Sequence, residues 1–240
     1  MYVIVFNKLY VTDFFYICKN LKQIIMKKTN VLITLLTLFS VISFSQEVKF
    51  GLKGGLNIAN QSNPALSGLV QGKTSFLIGF NIGGYVEIEL ANKISIQPEL
   101  SFSLQGGKLS YVDYIRTDPF YPEESVNVEL VDKLSYINIP IMFKYNVADE
   151  ITLELGPQLG ILVSSTTNAS FNGSTISGNS SENSKALYNS VDYGINLGAG
   201  YNMSEDITVG VRYYKGVSNI GKYSSEIKNN VFSISLFYKL

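Results

Sequence analysis

Ile94-Ser95-Ile96-Gln97-Pro98-Glu99-Leu100-Ser101-Phe102-Ser103-Leu104 alternates without a break: even positions are apolar and odd positions polar. A period of two places the two sets on opposite faces of one extended strand. A strand of about 9–11 residues, tilted at about 45°, is what crosses a bilayer. The pattern recurs in seven further stretches, near 48–58, 75–90, 133–147, 151–163, 188–202, 207–215 and 231–240. The connections alternate: 59–74, 106–132, 164–187 and 216–230 are long, whereas 91–93, 148–150 and 203–206 are short. An even strand count with short turns on one side and long loops on the other is the arrangement of bacterial outer-membrane barrels. The expected fold is therefore all-β, an eight-stranded antiparallel up-and-down transmembrane β-barrel in a Gram-negative outer membrane. Both termini and the short turns are expected in the periplasm, with the long connections outside.

Alternation alone does not say which face looks outward, because a soluble ligand-binding barrel alternates with its apolar face inside. Here the polar faces are rich in small residues, as in Asn81, Gly83 and Glu87, or Asp192, Gly194, Asn196, Gly198 and Gly200. Small side chains suit the crowded interior of a narrow barrel. Tyr145, Tyr201 and Tyr238 end apolar faces beside the short turns, where an interfacial aromatic girdle belongs. Pro98, Pro140 and Pro157 fall inside expected strands and predict bulges or broken ladder bonds, chiefly at Pro140 and Pro157.

The start of the chain reads as a secretion signal, so the whole fold is expected to follow an N-terminal signal peptide. Met26-Lys27-Lys28 opens a charged region, Val31 to Ile42 form a short apolar run, and Ser43-Phe44-Ser45 offers small residues for cleavage before Gln46. Residues 26–45 are thus expected to be the signal peptide and 46–240 the barrel domain, with 1–25 a mis-assigned extension ahead of Met26. Removing 1–45 takes away five lysines and one aspartate, leaving 14 basic and 18 acidic residues, a net −4. That mild acidity offers nothing to nucleic acid. The chain has no His and a single Cys, Cys18, so it lacks the usual general base and commonest metal ligand, and any internal disulfide. No cofactor or metal is expected.

Several stretches resemble the PorT family of outer-membrane β-barrel proteins from Bacteroidetes-type bacteria. They are Ser95 to Ser103, Leu134-Ser135-Tyr136-Ile137-Asn138-Ile139-Pro140 through Tyr145, and Glu154-Leu155-Gly156-Pro157-Gln158-Leu159-Gly160. Asp192-Tyr193-Gly194 through Gly200, Arg212-Tyr213, and the opening Phe50 to Asn57 are similar as well. The resemblance implies an eight-stranded barrel in the outer membrane and, from the member that names the family, a tie to protein secretion. It carries over no catalytic residue.

Strand parity points Lys49, Lys53, Glu87, Glu89, Glu99, Lys144, Glu154, Asp192, Arg212 and Lys239 into the lumen. The turn at Asp149 sets Lys144 opposite Glu154, and the turn at Asn92 sets Tyr85 opposite Glu99. Charges inside so narrow a barrel must pair or lose ionisation. Lys53, Glu87, Glu99, Lys144, Glu154, Asp192 and Arg212 are therefore read as an ion-pair network that plugs the lumen, with Arg212 meeting Glu99 or Glu154. The other reading is an ion pathway. Connection 106–132 gathers Tyr111, Tyr114, Phe120 and Tyr121 on what is expected to be a loop, either for partner contact or packed over the barrel mouth. Asp113, Asp118, Glu123 and Glu124 are the carboxylates a His-free enzyme would draw on, but acidic loops are ordinarily just solvated.

The expected role is accordingly non-enzymatic: a closed barrel with a structural or interaction function, the alternative being a small-solute channel or transporter. Expected partners are outer-membrane lipid, the outer-membrane assembly machinery during biogenesis, and an envelope protein. Phe232, Ile234, Leu236, Tyr238 and Leu240 alternate to the end of the chain, resembling the terminal strand that the assembly machinery reads, with Leu where an aromatic is usual.

Overall fold

The computed structural model describes residues 48–62, 72–115, 124–173, 177–223 and 227–240. The expected signal peptide, the segment 1–25, and Asp118, Phe120, Tyr121 and Glu123 lie outside the described residues. In chain order the strands are β1 (Val48–Ser62), β2 (Lys73–Ser75), β3 (Leu77–Ala91), β4 (Ile94–Ile115), β5 (Glu124–Asn146), β6 (Ile151–Asn172), β7 (Ser177–Asn183), β8 (Val191–Asn202), β9 (Ile207–Gly216) and β10 (Lys228–Lys239). A 3-10 turn, Lys185–Leu187, precedes β8.

Eight of these strands close a ring in the order β1-β3-β4-β5-β6-β8-β9-β10, every neighbouring pair antiparallel. β10 returns to β1 in continuous register from Gly51↔Lys239 to Ser62↔Lys228. Closure gives the backbone groups of the ring partners on both sides and removes its edges. The end bearing residues 92–93, 147–150, 203–206 and the C-terminus is the turn end; the opposite end is the loop end.

The alternation read from sequence becomes an inside and an outside. Phe50, Leu52, Ile82, Leu100, Phe143, Leu155, Ile195, Leu197, Ile234 and Leu236 stand exposed on the outer face. Asn57, Asn81, Gln97, Glu99, Asn138, Glu154, Asn196 and Arg212 are buried inside. A continuous apolar exterior around a polar interior is the reverse of a soluble barrel and suits a bilayer. Tyr145, Tyr201 and Tyr238 lie exposed on that exterior, within a few residues of the turn end.

The prolines interrupt the ladder without shifting its register. Registered pairs lapse around Pro98 toward β3, around Pro140 toward β4, and around Pro157 toward β5, and in each case the offset resumes unchanged. A missing N–H removes ladder bonds on one side, whereas a bulge needs an extra residue. The register shifts fall elsewhere, between Glu89 and Ala91 and opposite Ser135/Tyr136, where Ser135 pairs Ser164 but Tyr136 pairs Leu162. Val163 is the extra residue there, and beyond it the inward parity of β6 changes from even to odd.

Two of the expected long loops are mostly strand. β4 and β5 pair from Ile94↔Tyr145 up to Ile115↔Glu124, and β6 continues to Asn172 before returning as β7. With β2 against β4, these strands form a wall, β2-β4-β5-β6-β7, above the ring at the loop end. Ten residues at about 3.4 Å each extend it by on the order of 30 Å. The stretches 106–132 and 164–187 had read as loops because outside an apolar belt neither face needs a run of apolar residues. Ser, Thr and Asn serve a solvated strand and a loop equally well.

Candidate functional site

The lumen is crossed by a plug about five residues above the turn end. Arg212 on β9 bonds Glu99 Oε1 through Nη1 at 2.7 Å and donates Nε to Glu154 Oε2 at 2.6 Å. Lys53 on β1 donates to the other Glu99 oxygen at 2.6 Å, and Gln97 Nε2 to Glu99 Oε1 at 2.7 Å. Four strands far apart in sequence thus supply two cations and two carboxylates in one contiguous set, where each charge has an opposite partner. The Phe237 ring lies against this set, 4.8 Å from the Arg212 guanidinium and 5.7 Å from Lys53 Nζ.

Lys144 and Glu154 are cross-strand neighbours in register, as the turn geometry implies. Their ion pairs nevertheless go elsewhere: Lys144 donates to Glu87 at 3.0 Å and to Gln97 at 2.9 Å, while Glu154 holds Arg212. Tyr85 faces Glu99 in register. Asp192 is not part of the plug. It sits near the loop end, accepting from Ser218 Oγ at 2.6 Å and Asn229 Nδ2 at 2.9 Å. Lys49–Glu89 (2.5 Å) and Lys239–Asp206 (3.6 Å) are half-exposed pairs at the turn-end rim.

On the loop-end side of the plug lies a polar chamber of about 40 Å³ lined by Asn57, Asn81, Ser103, Gln105, Asn138 and Asn196, among others. Arg212 Nη2, Gln105 Nε2 and Asn138 Oδ1 are buried there without a protein partner. A space of this size and polarity accommodates water, which needs roughly 15 Å³ and two or more polar contacts.

Above the chamber the lumen is capped by apolar side chains. Leu134 and Tyr136 of β5 and Leu162 of β6 point inward and pack against Ile220 and Ile227 of the connection between β9 and β10, with Tyr188 alongside. That connection is tied down: Ile220 N–H donates to the Ile227 carbonyl, and Asn189 N–H to the Ile220 carbonyl, both at 2.8 Å. Asn219 Oδ1 accepts from Gly221 N–H and Ile227 N–H, each at 3.0 Å. Tyr188, outside the ring strands, donates to Asp132 at 2.8 Å; burial and then the Asp132 charge push its hydroxyl well above the usual phenol range. Sequence reasoning missed this cap. Its only signal was two isoleucines in a mostly polar connection that also holds Val217 and Tyr223, with no periodicity to place them.

Below the plug the lumen opens at the turn end into a polar vestibule of about 320 Å³, reaching from Lys49, Glu205 and Asp206 at the rim to Tyr85, Glu154 and Phe237.

Of the aromatic cluster expected on loop 106–132, the two members among the described residues lie on a strand. Tyr111 and Tyr114 belong to β4 and point to opposite faces of the wall: Tyr111 is half-buried on the inner face, Tyr114 67% exposed on the outer. Residues three apart on a strand cannot share a face. Asp113 also lies on β4, where its carboxylate accepts the Tyr114 N–H, and Glu124 begins β5. Beside Tyr111 and Val112, a shallow cavity of about 490 Å³ lies against Lys73, Asn127, Glu129 and Asn172. Among the described residues, no group of three or more His, Cys, Asp or Glu is placed to hold a metal ion.

No curated protein matches the chain in sequence. Among solved structures it is similar to Neisserial surface protein A, at 11% identity over 81% of this chain and 99% of that one, with a TM-score of 0.44. It is also similar to Ail, the attachment invasion locus protein of Yersinia pestis (12%, 81% and 99%, TM-score 0.41). OprG from Pseudomonas aeruginosa matches at 13% over 81% and 97%, with a TM-score of 0.31. Likenesses at this level leave the architecture to rest on the closed strand ring and on a family match. The model of the outer membrane protein beta-barrel domain matches residues 44–222. With the apolar exterior and the eight-stranded closure, that match places the chain in the outer membrane as a member of the outer-membrane protein β-barrel domain family.

Proposed function

We propose that this protein is a closed, non-enzymatic outer-membrane barrel of the PorT type that presents its loop-end wall to an envelope partner, with the turn end and both termini in the periplasm. The observation that carries the proposal is the contrast within the loop end itself: the mouth is stoppered by the Ile220/Ile227 cluster, while the strands around it continue outward. A strand wall costs ordering entropy in every residue and serves no conduction path when the mouth beneath it is filled. Among the described residues β7 pairs only β6, so the wall ends on a Ser-Gly-Asn-Ser-Ser-Glu-Asn strand with one charge, an edge that offers hydrogen-bonding groups to an extended segment. Periplasmic termini follow from the general rule that short turns face the periplasm.

Replacing residues 108–131 by a short turn removes the tip of the wall while leaving the ring. In cross-linked outer membranes an envelope protein captured by the native chain and lost from the trimmed one supports the interaction role. Equal capture by both contradicts it. One observation favours the channel as second reading: the vestibule already penetrates the lumen to the plug.

A further inference from the structure

Where the apolar outer face gives way to the wall, the loop end carries a diagonal of lysines. We propose that it holds the phosphate of a phosphorylated glycolipid of the outer leaflet. The inference rests on the orientation proposed above, with the loop end outside. Gly106 of β4 pairs Lys133 of β5, and Lys108 pairs Val131, so Lys108 and Lys133 are diagonal neighbours on the outer face. Ser75 of β2 pairs Lys108 and Lys73 pairs Ser110, which makes Lys73 the next diagonal neighbour on that face. Diagonal neighbours stand about 7–8 Å apart at Cα, close enough for flexible lysine stems to bring two ammonium groups onto one anion. Among the described residues none of the three lysines has an ion pair or a side-chain hydrogen bond. Left alone, adjacent like charges repel; a bridging phosphate removes that cost.

Three chemistries follow one another along this face in the order in which such a lipid presents them. Toward the turn end lie Leu104, Phe102, Ile137, Ile78 and Phe80, an apolar surface for acyl chains. Ile78 is 72% exposed, and the Phe80 and Phe102 rings meet at 5.9 Å. The lysines come next. On β4 the rung between Leu104 and Lys108 belongs to Gly106, whose φ of 139° suits glycine and whose added Cβ would strike the Asp132 carbonyl. No β4 side chain therefore separates Lys108 from the apolar surface below it. Beyond the lysines is the shallow cavity of about 490 Å³, where Lys73, Ser110, Glu129 and Ser170 form one cross-strand row and Asn127 and Asn172 the next. Their amides, hydroxyls and carboxylate are donors and acceptors for sugar hydroxyls.

Charge separates this rim from the other. Glu129 shares the outer face of the wall with the three lysines, on the side away from the apolar belt, and leaves the cluster net positive. At the turn end the exposed charges past the apolar face are Lys93 against Asp149, Glu150, Glu205 and Asp206. Lysine clusters at a membrane surface attract anionic headgroups, and an acidic rim repels them. An acidic protein segment would also suit the lysines, but it would have no use for the apolar surface directly below them, which faces the bilayer.

The test is native mass spectrometry of the barrel purified from outer membranes in detergent, titrated with diphosphoryl lipid A and, separately, with dephosphorylated lipid A. The diphosphoryl form should bind at least about ten-fold more tightly, at about five-fold for each lysine engaged. Lys108→Gln with Lys133→Gln should erase that advantage, and arginine at both positions should restore it. Lys93→Gln, at the opposite rim, should leave it unchanged. Equal binding of the two lipids, an unchanged double variant, or the same loss from Lys93→Gln would overturn the proposal. So would an acidic polypeptide that co-purifies with the native chain in place of lipid and is lost from the double variant. Detergent leaves both rims accessible, so these outcomes do not depend on orientation. An impermeant maleimide on intact cells decides orientation separately: labelling of Tyr114→Cys supports a loop end outside, and protection contradicts it.

Discussion

The turn end and the loop end close the same lumen with opposite chemistry. Toward the turn end the obstruction is ionic: Arg212 and Lys53 against Glu99 and Glu154, with a polar vestibule in front. At the loop end it is apolar: Leu134, Tyr136 and Leu162 against Ile220 and Ile227, with a strand wall in front. The ionic plug is built from the ring strands themselves, so it cannot leave without breaking the barrel. The cap borrows two of its five buried members from a connection and is the part that a conformational change can move. A buried ion pair is also brittle in a way that apolar packing is not. Deleting one partner strands the other, whereas deleting a methyl group leaves a cavity.

That difference sets the order of expected effects. Arg212→Ala leaves Glu154 without its cation and Glu99 with Lys53 alone, and should cost about 3–5 kcal/mol in denaturant unfolding of the micelle-folded barrel. The same variant should introduce conductance steps in planar bilayers only if the apolar cap also opens. A conducting Arg212→Ala with an intact cap would show that the plug is the sole barrier. Ile220→Ala removes buried methyl groups from a connection that can partly collapse into the space, so its loss should fall near the lower end of about 2–5 kcal/mol, read in the same unfolding assay. A loss below that of a surface substitution would mean the cap is only resting on the mouth. Lys239→Ala, at the half-exposed rim, should change stability by less than about 1 kcal/mol, and added salt should remove even that.

How much of this was legible in the chain follows from where the bilayer imposes a pattern. Between Ile94 and Leu104 one face must be apolar and the other must fit a narrow interior. Parity therefore revealed both the fold and the inward direction of Glu99 and Arg212. The same parity set Lys144 opposite Glu154, yet the pairing chemistry was decided across the lumen, between strands whose distance in space no alternation encodes. Beyond the belt the pattern fades. Val126, Val128 and Leu130 alternate, but with polar neighbours that suit a loop, and the extension of β5 went unread. The inversion of parity at Val163 is a single extra residue, invisible without its partner strand. The cap belongs to the third dimension alone.

The most direct test of a lumen open at one end and sealed above its plug is thiol labelling. Residues 46–240 contain no cysteine, so with Cys18 replaced by Ser a single introduced thiol reports its own surroundings. Thr208→Cys lines the vestibule, and Ser103→Cys lines the chamber between plug and cap. With a water-soluble maleimide on the folded protein, the account predicts rapid modification at 208 and modification at 103 only on unfolding. Equal labelling of both in the folded state would show a continuous aqueous path and contradict it.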